Sequence, residues 1–379
     1  MKNQEETVLV GCYTNSSDQQ FGVHVLRLNS DTGALRQATP SGRNIKNVTW
    51  ITASSSTNNL CVVNENGPTE TGAPGGSVTR ISISPEGVVT PHEGLQTQSN
   101  DSTHILRTPD SRFLIVSNYC VDPAPGGSLT VIRCLATGAL ECVVQTILFP
   151  ARGGQDSRQR SSHPHSACFS PDFSQIYVPD LGNNTIHVFD YDPLRSDAPL
   201  VPVDQSCVDE LPATCGPRHI VFAQGSDDAY VTFEISGQVA HFRRSLTSCG
   251  SALGDRKSSL ALQRVYDLAP EEFLGTHGAS GLHFTPNGRA LYVMNRGTDD
   301  HAVVFARNKN DGVLTRIQRF KTGMHVREFA FSGNGRFVVI AAQNDNTVTV
   351  YSVDELTGEI IARVCEVTVL HAAFVSFYR

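Results

Sequence analysis

The sequence predicts an all-β protein, a seven-bladed β-propeller in which seven similar sheets close into a ring as one domain over residues 1–379. Three observations lead to this prediction. A strand–turn–strand unit recurs along the chain, the two termini each supply part of one further unit, and no segment shows the apolar spacing of a long helix.

The recurring unit is clearest in the middle of the chain. There an apolar run opened by His163 and His165 is followed by a turn at Pro171, a second run Gln175–Val178 and a third run Thr185–Phe189. The second and third runs alternate with a period of two and are rich in β-branched and aromatic residues, and Pro, Gly, Asp and Asn separate the runs. This pattern is typical of short antiparallel strands joined by tight turns.

Six copies of the turn and second strand occupy the middle of the chain: Ser55–Asn64, Pro109–Asn118, Pro171–Asp180, Gln224–Phe233, Pro286–Asn295 and Gly333–Ala342. Their first residues are 47 to 62 positions apart. Seven units of roughly 54 residues would therefore fill the chain.

The seventh unit is divided between the two ends of the chain. Val8–Thr14 has the pattern of a second strand without a first, and Gly22–Leu28 has the pattern of its third strand. The missing first strand is His371–Phe377. We expect the termini to share one sheet, because closing the ring removes the exposed strand edges of an open array.

Two longer segments between units, Ala151–Ser162 and Ser245–Asp267, are polar and are predicted to be surface loops. The basic part of the first, Arg152–Arg160, is interpreted as a solvated loop and not as a binding patch.

Composition limits the partners. The net charge of −7 comes from interspersed acids and bases, and the absence of a long basic run argues against nucleic acid or an anionic membrane as a partner. Met1–Thr7 is polar, no apolar run approaches about 18 residues, and the ten cysteines show no zinc-binding spacing. We expect a cytoplasmic protein with reduced thiols, no cofactor and no metal, whose oligomeric state the sequence leaves open.

Candidate site residues follow from the geometry of a blade. The first strand runs along the central channel and the second runs back, so first-strand starts and second-strand ends meet at one opening. First-strand starts supply His104, His163, His165, Arg218, His219, Arg327 and Glu328. Second-strand ends supply Glu65, Asn118, Asp180, Glu234, Arg296 and Gln343. Histidine, arginine and glutamate at one opening indicate a reactive site.

Structural roles compete with this interpretation. His104 and His219 could simply hydrogen-bond a neighbouring blade, and Arg218 with Glu234 could be an ion pair between blades. Three oxygen-bearing side chains could also gather a divalent cation, although no spacing requires one: Glu65, Asn118 and Asp180.

Several motifs, in order and in repeat register, carry a family resemblance: Gly11–Thr14, Asp31–Leu35, His163–Ser166, Val178–Gly182, Gly216–His219, Tyr230–Glu234 and Leu291–Gly297. Over nearly its whole length the chain resembles the seven-bladed β-propeller lactonases, which include bacterial 6-phosphogluconolactonases of propeller type and fungal carboxy-cis,cis-muconate cyclases. The resemblance implies a catalytic set of His165, Arg218, Glu234 and Arg296. The chain departs from the family pattern at Phe233, where asparagine is usual, and in the turn Gln224–Ser226, and we expect Phe233 to reshape the pocket.

Lactone hydrolysis assigns a role to each of these groups. His165 is the predicted general base and Glu234 its partner or an alternative base, while Arg218 and Arg296 stabilise anionic oxygen atoms. Arginines around one pore imply a substrate that carries a phosphate or carboxylate. Further residues are predicted to bind the substrate: His104, His163, His219, Arg327, Glu65 and Gln343.

The leading function is hydrolysis of an anionic sugar lactone, with 6-phosphogluconolactone as the first candidate. A lactone-forming lyase of the muconate-cyclase type stays open, and so does an interaction platform without activity, because propellers host many functions. Against the platform, the repeats lack Trp-Asp marks and the chain has a single tryptophan, Trp50.

Overall fold

The computed structural model describes residues 5–15, 20–38, 42–53, 59–120, 126–154, 156–203, 208–248 and 256–378. Within these ranges the chain forms seven antiparallel sheets of four strands each, and the helical content is one short 3-10 turn. The prediction of a seven-bladed β-propeller is confirmed.

The first blade joins the two ends of the chain. Its strands, from the channel outward, are β28 (Ala372–Tyr378), β1 (Glu5–Cys12), β2 (Val23–Asn29) and β3 (Leu35–Gln37). β1 pairs with β28 in antiparallel register, with Val10 opposite Val375 and Thr7 opposite Tyr378. The predicted closure of the ring by the terminal strands is confirmed.

The other six blades follow in chain order. The second blade comprises β4 (Val48–Ala53), β5 (Leu60–Asn64), β6 (Ser77–Ile83) and β7 (Val89–Gln96). The third comprises β8 (Ser102–Arg107), β9 (Phe113–Asn118), β10 (Ser128–Cys134) and β11 (Leu140–Leu148). The fourth comprises β12 (Cys168–Phe169), β13 (Gln175–Asp180), β14 (Thr185–Tyr191) and β15 (Leu200–Pro202). The fifth blade comprises β16 (Pro217–Phe222), β17 (Asp228–Phe233), β18 (Gln238–Ser248) and β19 (Arg256–Asp267). The sixth comprises β20 (Ala279–Phe284), β21 (Ala290–Asn295), β22 (His301–Arg307) and β23 (Leu314–Lys321). The seventh comprises β24 (Val326–Phe331), β25 (Phe337–Ala342), β26 (Thr347–Val353) and β27 (Ile360–Thr368). First strands of neighbouring blades contact one another around the channel, as β28 does with β4 and β24.

Apolar clusters between neighbouring blades hold the ring together. In β5, Leu60 and Val62 pack toward the first blade, whereas Cys61 and Val63 pack toward the third. Because neighbouring blades cover both faces of each sheet, the second strands are continuous buried runs, and the predicted period-two alternation of the second run Gln175–Val178 is wrong. A further cluster joins the seventh blade to the first, so burial continues around the closure.

Polar turns fix the end of the third and fourth blades that lies away from the predicted site. Thr108 Oγ1 donates to Asp110 Oδ1 at 2.6 Å between β8 and β9, and Ser170 Oγ donates to Asp172 Oδ1 at 2.6 Å between β12 and β13. Such short side-chain bonds stabilise a tight reversal of the chain. First-strand starts and second-strand ends therefore lie together at the opposite opening of the channel, which is called the mouth below.

The prediction of a surface loop over Ser245–Asp267 is wrong. Its described residues continue β18 and form β19, a long hairpin in which Arg243 lies opposite Ala261. From 259 to 267 only Leu260 is fully buried. Leu262 and Val265 are half-buried against the apolar cluster of blades four and five, so the hairpin is covered only in part and shows no regular apolar alternation. No helix in the described part of the chain is long and apolar enough to cross a membrane.

Candidate active site

A buried carboxylate, Glu234, lies at the centre of the mouth. It follows β17, and its side chain is 7% exposed. Its Oε2 lies 2.8 Å from Arg218 Nε, and its Oε1 lies 3.2 Å from Arg296 Nη2 and 2.7 Å from Arg158 Nη1. Three guanidinium groups from distant parts of the sequence therefore contact one carboxylate.

The arginines keep the carboxylate of Glu234 ionised. Burial alone would raise the pKa of Glu234, but the positive charges of Arg296 and Arg218 outweigh it and hold the pKa well below its usual range. Burial and the neighbouring Arg296 lower the pKa of Arg218 to about 9, so that guanidinium stays charged at neutral pH. The cluster thus holds more positive than negative charge.

A second ion pair lies beside the first. Arg327 Nη1 donates to the Tyr13 hydroxyl at 2.6 Å and Nη2 donates to Glu65 Oε2 at 3.3 Å, while the Tyr13 hydroxyl donates to Glu65 Oε1 at 2.8 Å. Burial raises the pKa of Tyr13, so the phenol keeps its proton and acts as a donor. The charge of Arg327 contributes to lowering the pKa of His165, behind burial and Arg218, which places the two groups in one electrostatic site.

A cavity of about 360 Å³ adjoins this pair. Its lining includes Tyr13, Asn15, Gln343 and His371. The Oε1 atom of Gln343 is buried without a hydrogen-bond partner in the described part of the protein. Binding of substrate by Gln343 stays a prediction.

Three buried histidines line the channel below the mouth. The rings of His165 and His219 are 5.3 Å apart between centroids, and His104 packs against Trp50 at 4.3 Å. Burial, followed by the charge of Arg218, lowers the pKa of His165 well below its usual value, so the imidazole is neutral at pH 7. Burial and Arg218 likewise lower the pKa of His104 to about 3. Nδ1 of His165 is buried and has no hydrogen-bond partner among the described residues.

His163 differs from the other histidines because both of its ring nitrogens have partners. Its Nδ1 donates to the carbonyl oxygen of Tyr119 at 2.7 Å, and its Nε2 lies 3.2 Å from Ser161 Oγ. The ring also stacks on that of Tyr119 at 4.4 Å. These contacts give His163 a structural role in the wall of the mouth, and binding of substrate by this residue stays a prediction.

The oxygen-bearing residues considered for a cation are used in structural bonds. Asp180 Oδ2 accepts from Ser162 Oγ at 2.6 Å and contacts His187 Nε2 at 3.0 Å. Asn118 Oδ1 accepts from Ser102 Oγ at 2.8 Å. Across the described ranges, no group of three or more His, Cys, Asp or Glu side chains is arranged to hold a metal ion.

Arg158 is the site residue that the sequence interpretation missed. It lies on the 3-10 turn η1 (Ser157–Gln159), inside a segment predicted to be a solvated loop, and that interpretation is wrong for Arg158 because its guanidinium reaches Glu234. Two hydrogen bonds anchor the turn. The backbone N–H of Arg158 donates to Asp156 Oδ1 at 2.8 Å, and Nε2 of the buried Gln159 donates to the Leu181 carbonyl oxygen at 3.0 Å. The segment lies outside the repeat, so no equivalent position in another blade identifies Arg158.

Tyr13 was also missed, but a signal for it exists. It directly follows the second strand of its blade, the position that supplies Glu65 and Glu234 in other blades. The rule that identified those glutamates would have found Tyr13 if it had been applied to the divided first blade.

The comparisons with known proteins agree with this geometry. The family model of the seven-bladed β-propeller lactonases matches residues 7–377. The chain belongs to this family. The solved structure of a periplasmic gluconolactonase from Pseudomonas aeruginosa is similar to it with a TM-score of 0.87 and 32% identity, and the match covers 99% of each chain.

Sequence relatives also carry lactonase names. A 6-phosphogluconolactonase from Formosa agariphila is 29% identical over 68% of this chain and 68% of its own length. A 6-phosphogluconolactonase from Serratia proteamaculans is 27% identical over 70% of this chain and 72% of its own length. The protein is a lactonase.

In this lactonase three of the four residues that the family resemblance marks as catalytic, Arg218, Glu234 and Arg296, are in contact at the mouth, and His165 lines the channel below them. Arg218 and Arg296 contact Glu234 directly, and the charges of all three act on His165. Their individual roles in catalysis stay predictions. Phe233 does not reach the mouth: it is fully buried in the apolar cluster between blades four and five, so the expected effect on the pocket is not a direct one.

Proposed function

We propose that this lactonase hydrolyses a sugar lactone that carries an anionic group, with 6-phosphogluconolactone as the leading substrate. The observation that carries the proposal is the charge balance at the mouth. Four guanidinium groups lie near two carboxylates there, in a protein of net charge −7: Arg158, Arg218, Arg296 and Arg327 beside Glu65 and Glu234. A local positive excess on an acidic protein favours a negatively charged ligand.

Arg158 is the residue we assign to the anionic group of the substrate. It contacts Glu234 through Nη1, and its side chain is 42% exposed, whereas the side chain of Arg218 is 2% exposed. A guanidinium has the planar geometry that binds phosphate oxygens in pairs. The buried Arg218 serves mainly to hold Glu234.

The proposed reaction begins with the neutral imidazole of His165. It takes a proton from a water molecule, whose oxygen attacks the lactone carbonyl carbon, and Arg296 stabilises the negative charge that develops on the carbonyl oxygen. The bond from the carbonyl carbon to the ring oxygen then breaks, and His165 returns the proton to that oxygen. The product is the open hydroxy acid, which ionises in water. Glu234 keeps the guanidinium groups in place throughout.

Proton release by the purified protein tests the proposal. Initial rates are measured with 6-phosphogluconolactone and with δ-gluconolactone, and the spontaneous hydrolysis of each lactone is subtracted. We expect kcat/KM to be roughly 10- to 100-fold higher for the phosphorylated lactone, the value of one charge-assisted hydrogen bond. This preference should decrease as salt is added.

Two variants on the same loop sharpen the test. Arg158→Ala should raise KM for the phosphorylated lactone and leave KM for δ-gluconolactone nearly unchanged, while Arg152→Ala, an exposed arginine on the same loop, should change neither. Equal or faster hydrolysis of δ-gluconolactone, with no effect of Arg158→Ala, would contradict the anionic substrate. Turnover of a carboxymuconate, followed by ultraviolet absorbance, without turnover of either lactone would instead support a lactone-forming lyase.

A further inference from the structure

A row of contacting polar side chains runs from Glu234 down the channel to its far opening. Arg218 contacts Glu234 through Nε and donates through Nη1 to His219 Nε2 at 3.1 Å. His219 Nδ1 lies 3.8 Å from Glu328 Oε2, and Glu328 Oε1 lies 2.6 Å from His283 Nε2. Five side chains of three blades thus lie in one row, and Glu328 Oε2 is buried without a hydrogen-bond partner among the described residues.

The contacts determine the tautomer of His219. An arginine can only donate, so His219 Nε2 accepts from Arg218 and the proton of the neutral ring lies on Nδ1, the nitrogen that faces Glu328. Burial, followed by the charge of Arg218, lowers the pKa of His219 well below its usual value, so the ring is neutral at pH 7. The carboxylate of Glu328 favours the proton on the near nitrogen, although 3.8 Å is beyond hydrogen-bond distance.

His283 fixes Glu328 from the other side. Burial alone would lower the pKa of His283, but the charge of Glu328 and the bond to it raise the pKa above its usual value. The side chain of Glu328 is 2% exposed, and that of His283 is 39% exposed. His283 therefore provides the contact between this row and solvent, at a cavity of about 340 Å³ whose lining includes Trp50, His283, Glu328 and Phe329.

We propose that Glu328 and His283 are positioning residues for the lactonase reaction: they hold the tautomer of His219 and, through it, the orientation of Arg218 against Glu234. With Glu328 neutralised, the preference for a proton on Nδ1 weakens, and a larger share of the His219 rings carries the proton on Nε2, where it opposes the donor of Arg218. The guanidinium then turns away, and Glu234 loses one of its three partners. The proposal rests on the assigned roles of Glu234 and its arginines but is independent of which lactone is the substrate.

Kinetics of three variants test the proposal. Glu328→Gln should lower kcat roughly 10- to 100-fold with little change in KM, because displaced groups at the site slow the chemical step more than they weaken binding. His283→Ala should lower kcat less, by about 3- to 10-fold, since Glu328 remains. The double variant should be no slower than Glu328→Gln, because both changes act through one row. His92→Ala, an exposed histidine on β7, is the control and should keep wild-type kinetics.

Chemical rescue adds a readout that lost stability cannot imitate. The cavity at the far opening adjoins the position that His283→Ala empties, so added imidazole should enter it and restore most of the lost kcat. Imidazole should have no such effect on Glu328→Gln. Unchanged kcat in both single variants, or losses that multiply in the double variant, would overturn the proposal.

The tautomer of His219 is measured without any substrate. Nitrogen-15 NMR of histidine-labelled protein should show Nε2 of His219 unprotonated in the wild type and partly protonated in Glu328→Gln. A single unchanged tautomer in that variant would refute the mechanism even if kcat falls. If the wild type hydrolyses neither 6-phosphogluconolactone nor δ-gluconolactone, the proposed function fails, but the NMR result still decides whether Glu328 controls His219.

Discussion

Replacing Glu234 by glutamine tests the centre of the site. The substitution keeps the size of the side chain and one oxygen acceptor, but removes the charge that faces Arg158, Arg218 and Arg296. Removing one partner of a buried ion pair typically costs about 3–5 kcal/mol in the free energy of unfolding. Because the arginines lose their anchor, kcat should also fall roughly 10²- to 10³-fold.

Glu234→Gln should not weaken the binding of an anionic substrate, although it slows the reaction. Without the carboxylate, the mouth gains one unit of net positive charge, so KM for an anionic lactone should stay equal or decrease while kcat falls. Both quantities come from initial rates of proton release with 6-phosphogluconolactone, and stability comes from urea unfolding followed by circular dichroism.

The matched control is Glu93→Gln. Glu93 pairs with Arg80 at 2.7 Å, away from the mouth on the outer strand of the second blade, and its side chain is 34% exposed. Loss of such a partly exposed pair should cost only about 0–1 kcal/mol and leave kcat unchanged. The reasoning about Glu234 is refuted if Glu234→Gln keeps more than about a tenth of wild-type kcat, or if both variants lose the same stability.

The pH dependence of stability gives an independent check on Glu234. Its pKa in the folded protein lies below the value of about 4.3 expected in the unfolded chain, so the ionised carboxylate stabilises the fold above that pH. This contribution is lost as the pH falls toward the lower folded-state pKa. The difference in unfolding free energy between wild type and Glu234→Gln should therefore narrow below about pH 4.

Two further predictions concern the general base and the ring closure. His165→Gln should lower kcat roughly 10²- to 10⁴-fold. Wild-type kcat/KM should stay level as the pH is lowered to 6.5, because burial and Arg218 hold the pKa of His165 well below that value. A fall in kcat/KM centred at or above pH 6.5 would contradict the assignment of His165 as the general base. Val375→Asp should reduce the unfolding free energy by about 3 kcal/mol or more, since Val375 is buried and pairs with Val10 where the termini meet. Val364→Asp, at a side chain that is 39% exposed, should cost far less in the same urea titration, and equal losses would argue against a stabilising role for the closure.

The fold could be predicted from the chain alone because its information is local and repeated. Each copy, such as Pro109–Asn118 or Pro286–Asn295, carries its own turn and its own apolar strand, and six copies confirm one another. The long hairpin after Gln238 could not be predicted in this way, since a strand that neighbouring blades cover only in part has no regular apolar alternation to reveal it.

The site residues likewise fall into those that the repeat predicts and those that only the folded chain reveals. Strand order alone placed Glu234, Arg218 and Arg296 at one opening, because a ring of antiparallel blades brings those positions to the same end. The contact of Arg158 with Glu234 depended on how an irregular loop folds back over the mouth. Likewise, only the packed channel decided which nitrogen of His219 accepts from Arg218 and that Phe233 faces the core. Sequence determines contacts that recur with the repeat; side chains on irregular segments, and the protonation of buried groups, depend on neighbours that only the folded chain supplies.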